Sequence, residues 1–421
     1  MAALKVSGTI RVPGDKSISH RALILSALAV GESRIRGILE SEDVGSSASV
    51  LRSLGARIPQ LTSDFGVSGG GLRGLRNPKV ALDCGNSGTT TRLMAGVVAA
   101  HPLSARFVGD ESLSRRPMKR VAEPLTYMGA RVDFERGDGL PMTVHGMDLR
   151  SVDWDTRASS AQVKSAILLA GLVAGVEVRV TEKSPSRDHT ERMLRSVGVD
   201  VETDGNQVCL RPASRLRPID IEVPGDPSSA AFFVALAALA SEGELVLTDV
   251  CLNPTRNGFL DVMTRMGAKI DVVSRRDSGG EVVGSLRVEP GKLSNVAVGG
   301  SDIGSIIDEL PLLACVAAGA GVELEITGAE ELRVKESDRI AVVVQNLRAV
   351  GANADELPDG LRVHASARPL AGTIDPRGDH RIAMAFGILS AASGGNIQIN
   401  NPQCVAVSYP GFWTDLRGAV G

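Results

Sequence analysis

Short turns rich in glycine, serine and cationic residues recur along this 421-residue sequence, each between a short strand and an apolar helix. In the turn VPGDKSISHRA, Lys16 and Ser17 open a helix, and Arg21 follows Ser17 by four residues on the same face. A helix N-terminus presents unpaired N–H groups and the positive end of the helix dipole. These side chains therefore predict a site for one anion, although the pattern equally suits a serine N-cap beside two solvated cations.

Two later turns carry mainly neutral polar groups. The sequence CGNSGTTTR puts Asn86 and Gly88 at a second helix start, where glycine lets the backbone approach a ligand closely. The sequence RASSAQVK supplies Ser159, Ser160 and Gln162, which suit hydroxyls as well as phosphate. Each turn, taken alone, also fits an ordinary capped turn.

Further cations stand beside the remaining turns. Lys335 and Arg339 lie four residues apart on one helical face, and buried like charges repel unless an anion lies between them. The cations recur at helix starts rather than along exposed helix backs, which favours anion binding over a solvated charged face. The full set is Arg115, Arg116, Arg187, Arg333, Lys335, Arg339 and Arg381.

Three carboxylates are candidates for acid–base chemistry. Asp308 and Glu309 interrupt the apolar stretch IIDELPLLACVAA just before a proline-led helix, where they suit either a helix cap or a proton acceptor. Glu336, beside Lys335, is a second acid–base candidate. The sequence has no Walker A, GxGxxG, HExxH or GxSxG pattern, which disfavours nucleotide, metal and acyl-enzyme chemistry.

Composition narrows the class of ligand. Net charge is -3, from 46 basic and 49 acidic residues, and aromatic residues make up only 3%. A basic field and stacking platforms for nucleic acid are therefore missing, and any anion must be bound locally. The N-terminus has no apolar leader and no apolar run reaches the length of a membrane span, so we expect a cytoplasmic protein with no membrane partner. Five widely spaced cysteines predict buried thiols in a reducing compartment: Cys84, Cys209, Cys251, Cys315 and Cys404.

Internal repeats predict the architecture. One phrase recurs at roughly 70 to 85 residues as LRSLGARI, LTYMGARV, LRSVGVDV, MTRMGAKI and LRAVGANA, with FWTDLRGAVG as a truncated sixth copy. It predicts a helix end, a left-handed C′ glycine and a strand start. Between these copies run six instances of a strand, a polar turn and an Ala/Leu-rich helix that is apolar nearly all round, which predicts buried helices.

The phrase VPGD opens the first and fourth of these six units, at Val12 and Val223. The units therefore divide into two groups of three, and we predict an α/β fold with two similar domains. The predicted domain I is residues 1–13 plus 225–421, and the predicted domain II is residues 14–224. The Pro-Gly pairs at both crossovers suit hinges and simple turns alike.

In this order, PGDKSISHRA, CGNSGTTTRL, RRPM, SSAQVKSA, IIDELP, RVKESDR and DHRIAM closely resemble the 5-enolpyruvylshikimate-3-phosphate synthase family over the whole chain. The resemblance implies an inside-out α/β barrel pair, each domain having three βαβαββ-type repeats, with the active site in the interdomain cleft. It also implies transfer of the enolpyruvyl group of phosphoenolpyruvate to the 5-hydroxyl of shikimate 3-phosphate, a step of aromatic amino acid biosynthesis. Phosphate is released by addition and elimination through a tetrahedral intermediate. No cofactor or metal is implied, and we expect a monomer.

The resemblance also implies residue roles. Asp308 is the favoured base for the attacking hydroxyl, Glu336 handles protons at the methylene carbon, and Lys16 is shared between the substrates and counted with the catalytic group. Shikimate 3-phosphate would be bound by Lys16, Ser17, Arg21, Ser159, Ser160, Gln162, Arg187, Asp308 and Lys335. Phosphoenolpyruvate would be bound by Lys16, Asn86, Gly88, Arg116, Gln162, Arg339 and Arg381.

The sequence departs from the family pattern in places. Val407 stands where many members carry a lysine that binds phosphoenolpyruvate, Glu331 replaces an asparagine, and Ala161 replaces a second serine. Gly88 is the small residue that leaves room for the inhibitor glyphosate in this family, so we predict sensitivity.

Two alternatives stay open. The nearest is the related transferase that acts on UDP-N-acetylglucosamine; against it, the Lys16 motif continues as Ser-Ile-Ser-His-Arg and ESLSRRPM lacks that relative's reactive cysteine. The other is a non-catalytic anion-binding protein built from the same six units, which would need neither Asp308 nor Glu336.

Overall fold

The computed structural model describes residues 4–156, 159–366 and 369–420. By their contacts these residues form two units, which are discontinuous in sequence. Unit 1 contains the segment up to Pro13, Pro224–Arg276 and the chain from Val282 onward, and unit 2 contains Gly14–Val223 and Asp277–Glu281. The chain thus leaves unit 1 twice, once for some two hundred residues and once for a hairpin tip.

Two short strands precede unit 2 and belong to unit 1: β1 (Lys5–Val6) and β2 (Thr9–Ile10). The helices of unit 2 are α1 (Lys16–Leu28), α2 (Glu42–Ser53), α3 (Gly88–Ala99), α4 (Glu111–Ser114), α5 (Lys119–Met128), α6 (Ala161–Ala174) and α7 (His189–Ser196). Its strands are β3 (Val30–Arg36), β4 (Asp64–Gly70), β5 (Leu82–Asp83), β6 (Ser104–Val108), β7 (Arg131–Phe134), β8 (Met142–His145), β9 (Val152–Asp155), β10 (Val178–Thr181), β11 (Val201–Asp204), β12 (Gln207–Leu210) and β13 (Asp220–Glu222).

The sheets of unit 2 repeat one pairing pattern. Strand orders are β13-β3-β4, β5-β6-β8-β7 and β9-β10-β12-β11. In each, the first two strands are parallel and every later pair is antiparallel. A parallel pair needs a crossover connection, which the buried helices supply. The three repeats predicted for this part of the chain therefore have a common architecture.

Apolar helices form the core of unit 2. Every residue of α1 from Ile18 to Leu28 is buried, and α3 and α6 are buried almost throughout. Small residues let these helices approach closely, because a Cβ added at Gly96 of α3 would lie 2.8 Å from the Cα of Ala166 in α6. The prediction of buried Ala/Leu-rich helices is confirmed.

The helices of unit 1 are α8 (Pro227–Leu239), α9 (Gly258–Met266), α10 (Ile303–Ile306), α11 (Leu310–Ala320), α12 (Arg339–Ala349), α13 (His380–Ala392) and α14 (Phe412–Ala419). Short 3-10 helices occupy Pro254–Arg256, Gly300–Asp302, Glu330–Val334 and Pro402–Val407. The strands are β14 (Glu242–Gly243), β15 (Leu245–Cys251), β16 (Lys269–Ser278), β17 (Glu281–Glu289), β18 (Val296–Val298), β19 (Leu324–Ile326), β20 (Ala354–Leu357), β21 (Gly360–Val363), β22 (Gly372–Ile374) and β23 (Ile397–Ile399).

The same pairing pattern returns in unit 1. Strand orders are β2-β15-β17-β16, β18-β19-β21-β20 and β22-β23, again with a leading parallel pair. The N-terminal strands complete this unit, since β1 pairs in parallel with β14 and β2 with β15. Helices α8, α11 and α13 form the core, together with an aromatic group that includes Phe233, Tyr409 and Phe412.

Glycines end the helices where the repeated phrase predicts them. Gly55, Gly129, Gly198, Gly267 and Gly351 all have φ between +86° and +119°, a region that favours glycine. The predicted sixth copy is wrong, because Gly418 lies inside α14, which continues to Ala419.

The cysteines follow the prediction with one exception. Cys84, Cys209, Cys251 and Cys315 are buried, whereas Cys404, in the 3-10 helix Pro402–Val407, is only partly buried. Among the described residues no single helix is long and apolar enough to cross a membrane; only the pair Gly300–Ile306 and Leu310–Ala320, bent by 105°, reaches that length and composition jointly.

Candidate active site

The start of α1 places two of the predicted residues in its first turn. Asp15 caps this helix by accepting a hydrogen bond of 2.8 Å from the backbone N–H of Ile18. Lys16 and Ser17 follow and are partly buried. The Lys16 ammonium forms an ion pair with the buried carboxylate of Asp43, in the first turn of α2. Sequence reasoning missed Asp43, which holds Lys16 in place at the helix start.

Arg21 is buried on the same helix and bound by neutral oxygens. Its guanidinium donates to the backbone carbonyl of Ser17 (2.9 Å), to Thr190 Oγ1 (2.6 Å) and to Ser165 Oγ (2.7 Å). Burial lowers the pKa of Arg21 to about 10, against the attraction of Glu191. Arg21 therefore remains a cation at neutral pH, fixed by α1, α6 and α7 at once.

The start of α3 gathers a second group of predicted residues. Ser87 caps the helix, and Gly88 is its first residue. Arg116 Nη2 donates to Asn86 Oδ1 at 2.6 Å, and its Nη1 donates to the Asn86 carbonyl at 3.3 Å. The structure thus brings Asn86, Gly88 and Arg116 together.

Gln162 and the unpredicted Arg92 join this group. Arg92 Nη1 donates to Gln162 Oε1 at 2.6 Å, while Gln162 Nε2 donates to Thr89 Oγ1 at 2.9 Å. A Cβ added at Gly88 would lie 2.6 Å from Arg92 Nη1 and 3.5 Å from Arg116 Nη1. Two guanidiniums therefore face the glycine at the positive end of α3, an arrangement suited to an anion. Arg92 stands four residues after Gly88, the same spacing that marks Arg21 after Ser17.

A hydrogen-bonded chain connects α1, α2 and α3. His20 Nδ1 and Ser47 Oγ are 2.7 Å apart, Ser47 Oγ lies 2.7 Å from Thr90 Oγ1, and Thr90 donates to Ser87 Oγ at 2.8 Å. Burial lowers the pKa of His20 to about 3, so the imidazole is neutral at neutral pH. This chain links the two helices whose first residues are Lys16 and Gly88.

The segment between β10 and α7 carries Arg187, which is partly buried. Arg187 lies near enough to Arg21 to contribute to lowering the Arg21 pKa. Ser159 Oγ accepts from the backbone N–H of Ser184 at 2.9 Å in the same segment. Ser160 is the N-cap residue of α6.

A buried ion triad supports that segment. Lys164 Nζ lies 2.7 Å from Glu182 Oε2 and 2.8 Å from Glu191 Oε1, and all three side chains are at most 2% exposed. Although burial disfavours the Lys164 ammonium, its two carboxylate partners raise its pKa above the ordinary value. Glu182 also accepts from the Ser186 hydroxyl at 2.6 Å and from the Ser186 backbone N–H at 3.1 Å, and the second bond fixes the backbone beside Arg187.

In unit 1, Arg339 is the centre of the predicted cluster. It is the first residue of α12 and only 1% exposed. The predicted shared helical face with Lys335 is wrong, because Lys335 has an extended backbone and precedes α12. Its guanidinium donates to Asp379 Oδ2 (2.8 Å), Glu336 Oε2 (2.6 Å) and Asp308 Oδ1 (3.3 Å). Burial disfavours its charge, but the three carboxylates outweigh burial and hold the pKa of Arg339 above its ordinary range.

Asp308 also approaches Arg381, two residues after the α13 N-cap Asp379. Arg381 Nη2 lies 3.7 Å from Asp308 Oδ2, and its Nη1 donates to Glu309 Oε1 at 3.3 Å. Burial lowers the pKa of the nearby Lys335, and the charge of Arg339 lowers it further, against the attraction of Asp308. The structure therefore brings together Asp308, Lys335, Glu336, Arg339 and Arg381.

Two positions complete the comparison with the sequence. Asp379 was missed, although its place two residues before Arg381 in DHRIAM is a helix-cap signal. Val407 is the last residue of the 3-10 helix Pro402–Val407 and is partly buried. Its side chain is apolar, so this position supplies no cation.

The repeated α/β architecture, with cations and carboxylates gathered at helix starts, defines a protein class suited to small, multiply charged anions. The sequence model of EPSP synthase (3-phosphoshikimate 1-carboxyvinyltransferase) matches residues 2–416. The chain belongs to the EPSP synthase family, as its motifs predict.

Relatives and solved structures agree with that assignment. The chain is 47% identical over 418 residues to the 3-phosphoshikimate 1-carboxyvinyltransferase of Sulfurihydrogenibium sp. (strain YO3AOP1), covering 98% of this chain and 97% of the relative. It is 44% identical over 412 residues to that of Bacillus cytotoxicus, covering 98% and 97%. A 2.37 Å structure of EPSP synthase from Acinetobacter baumannii superposes with a TM-score of 0.88 at 39% identity, covering 100% of this chain and 97% of that one. The predicted α/β fold class is confirmed.

Proposed function

We propose that this chain is a 3-phosphoshikimate 1-carboxyvinyltransferase, which transfers the enolpyruvyl group of phosphoenolpyruvate to the 5-hydroxyl of shikimate 3-phosphate. The single observation that carries the proposal beyond family membership is the Asp308 carboxylate, held 3.3 Å from Arg339 and 3.7 Å from Arg381. In this arrangement the carboxylate can act as a base, and the two guanidiniums beside it can bind the anionic groups of the substrate.

The reaction balances as an addition followed by an elimination. The 5-hydroxyl oxygen bonds to C2 of phosphoenolpyruvate, Asp308 takes the hydroxyl proton, and the methylene carbon gains a proton to become a methyl group. The C–O bond to phosphate then breaks, the methyl group loses a proton and the enol ether forms. Glu336, 2.6 Å from the Arg339 guanidinium, is the group we assign to the proton at the methyl carbon.

The cations stabilise the charge that this route concentrates. The tetrahedral intermediate carries a carboxylate and two phosphates, and preorganised positive groups lower its free energy most where water is excluded. We assign phosphoenolpyruvate to Arg339 and Arg381, and also to the cluster at Gly88, Arg92 and Arg116. Lys16 contributes to both substrates.

We assign shikimate 3-phosphate to a set of polar side chains, which present donors to its phosphate and hydroxyls. Asp308 additionally receives the proton of the 5-hydroxyl. The assigned residues are Lys16, Ser17, Arg21, Ser159, Ser160, Gln162, Arg187, Asp308 and Lys335. The monomeric state and cytoplasmic location expected from the sequence stay predictions.

The test is phosphate release from phosphoenolpyruvate with shikimate 3-phosphate and, separately, with UDP-N-acetylglucosamine. We expect release only with the first acceptor, and a loss of about 10²- to 10⁴-fold in kcat for Asp308→Asn, because a general base is removed. Asp133→Asn, at an exposed pair with Arg131, is the matched control and should keep full activity. Release only with the second acceptor, or no release with either, would overturn the proposal.

A further inference from the structure

The second VPGD turn carries a serine at the same place as the first. In Asp15-Lys16-Ser17 and Asp226-Pro227-Ser228, the serine is the second residue of the helix and the aspartate is its N-cap. The Asp226 carboxylate accepts from the backbone N–H of Ser228 at 2.8 Å. Ser17 is partly buried, whereas Ser228 is only 4% exposed.

A carboxylate of the protein occupies the start of α8. The Ser228 hydroxyl donates to Glu309 Oε1, and Glu309 is 4% exposed. Arg256 Nη2 donates to Ser228 Oγ at 2.6 Å and to Asp226 Oδ1 at 3.1 Å. At the first VPGD turn we assigned substrate phosphate to the serine and its neighbours. At the second turn the internal carboxylate of Glu309 is bound instead.

Glu309 also binds a residue of the proposed site. The same Oε1 atom accepts from Arg381 Nη1 at 3.3 Å. Asp308 also lies near this guanidinium, with its backbone carbonyl at 3.4 Å and its Oδ2 at 3.7 Å. An arginine that binds substrate beside the general base needs an anchor that is neither substrate nor base, and Glu309 meets that requirement.

The second oxygen of Glu309 points to more than a packing role. Within the described part of the chain Oε2 is buried with no hydrogen-bond partner. Leaving a buried acceptor unsatisfied is unfavourable, and an apolar or amide side chain would serve a purely structural contact at lower cost. We therefore attribute the negative charge of Glu309 to the contact that its Oε1 atom makes with Arg381.

We propose that Glu309 is a positioning residue, which is fixed by Ser228 at the start of α8 and holds the Arg381 guanidinium in place for phosphoenolpyruvate. The inference rests on the proposed function. The Arg381 guanidinium already lies 3.7 Å from Asp308 Oδ2, and without the Glu309 charge it is free to move closer and pair with the base instead of the substrate.

The test compares Michaelis constants in Glu309→Gln and Glu309→Asp. We expect the KM for phosphoenolpyruvate to rise about tenfold in both variants, the loss typical of one charge-assisted contact, with the KM for shikimate 3-phosphate changed less than twofold. If Glu309 acted only through its charge, the KM for phosphoenolpyruvate would fall in Glu309→Gln, because removing a negative charge strengthens anion binding. Ser228→Ala should raise the same constant by a smaller factor.

Glu281→Gln is the matched control, since Glu281 is an equally buried carboxylate that accepts from His189 at 2.7 Å in unit 2. It should leave the KM for phosphoenolpyruvate unchanged. The inference is overturned if the KM for phosphoenolpyruvate is unchanged or lower in Glu309→Gln, or if the KM values for both substrates rise equally. In either case, turnover by the wild type leaves the proposed function intact. If the Glu309 variants do not fold, an unchanged constant in Ser228→Ala overturns it. If the wild-type protein shows no turnover, both the proposed function and the inference about Glu309 are overturned.

Discussion

The cationic side chains that we propose as substrate ligands form ion pairs with carboxylates of the protein itself. Arg339 contacts three acidic side chains, and Lys16 pairs with Asp43. Buried cations are costly unless paired, so these acids make it possible to keep the positive groups in place before substrate arrives. Each substrate anion must then share or displace a carboxylate, and this favours ligands with several negative charges over those with one.

Gly88 provides the first prediction at the scale of a residue. In Gly88→Ala the new Cβ would lie 2.6 Å from Arg92 Nη1, so this guanidinium must move. We expect the KM for phosphoenolpyruvate to rise roughly tenfold, since one charge-assisted contact is disturbed. We also expect glyphosate to inhibit the wild type in competition with phosphoenolpyruvate and to inhibit the variant less.

Steady-state kinetics with varied phosphoenolpyruvate and glyphosate checks both statements. Gly418→Ala is the control, because a Cβ there meets nothing within 4 Å. Unchanged constants in Gly88→Ala would show that Arg92 yields without loss. Inhibition that does not compete with phosphoenolpyruvate would contradict the predicted sensitivity.

His20 provides a prediction about pH. Its pKa is about 3 in the folded chain against 6.5 ordinarily, so between these values the unfolded chain binds more protons and the free energy of unfolding falls as pH falls. In His20→Gln this contribution disappears, and the dependence should become shallower by up to about 1.4 kcal/mol per pH unit. Urea unfolding of both proteins from pH 7 to pH 5 measures the difference; parallel curves would contradict it.

Local spacing predicts which residues stand at helix starts, but not which partners they meet. Lys16, Gly88, Arg339 and Arg381 all lie in first turns, as their turns predict. The partners come from distant parts of the sequence, as Thr190 does for Arg21, and no local pattern encodes such pairs. The assigned substrate roles stay predictions.

Close helix packing yields a prediction at the scale of an element. Gly96→Ala would place a Cβ 2.8 Å from the Cα of Ala166, and closer still to its carbonyl oxygen, and push α3 away from α6. We expect a loss of about 1–3 kcal/mol in the free energy of unfolding, the usual cost of overpacking. Gly45→Ala in α2 is the control, because it meets nothing within 4 Å and alanine favours a helix by about 1 kcal/mol. Equal effects of the two substitutions on urea unfolding would contradict the packing argument.

The buried triad connects α6 to α7 and to the segment before it. Lys164→Met leaves the carboxylates of Glu182 and Glu191 buried without their cation, which should cost about 3–5 kcal/mol of stability. Thermal and urea unfolding measure the loss. Arg115→Met, which breaks an exposed pair with Glu111, should cost at most about 1 kcal/mol.

Adding Glu182→Gln and Glu191→Gln to Lys164→Met tests the cause. These changes remove the unpaired charges, so part of the lost stability should return. A triple variant less stable than Lys164→Met would show that the cost comes from packing rather than from uncompensated charge.

The repeated sequence phrase predicts helix ends well, because a helix end depends on a few neighbouring residues. The five C′ glycines follow from short local patterns, and their left-handed backbone is what such patterns encode. The error at Gly418 has a physical cause: Val420 and the strand segment at Val6 form an isolated bridge, so α14 runs on to Ala419 before the chain extends.

At the scale of the whole molecule, the N-terminal strands complete unit 1. Gly8 accepts from the Val246 amide at 3.0 Å, and Val6 is 2% exposed. Removing residues 1–10 should therefore speed hydrogen exchange at the Val246 amide and lower the stability of unit 1. Lys5→Met, which changes only an exposed pair with Glu242, should leave this exchange unchanged. Protection that persists after the deletion would contradict this account.

The predicted domain boundaries, after Pro13 and before Gly225, stay a prediction. The contacts place the hairpin tip Asp277–Glu281 with unit 2, where Glu281 meets His189. Sequence patterns give no sign of this, because the tip is a short polar turn between two strands whose bodies belong to unit 1.

The discontinuity of unit 1 has a consequence during synthesis. Strand β2 emerges from the ribosome more than two hundred residues before its partner β15. At ordinary elongation rates that interval is roughly ten to fifty seconds. Nearly all of unit 2 is synthesised meanwhile, so β1 and β2 stay unpaired while the next two hundred residues fold. Until β15 emerges, this segment is an open strand edge that a neighbouring nascent chain could pair with.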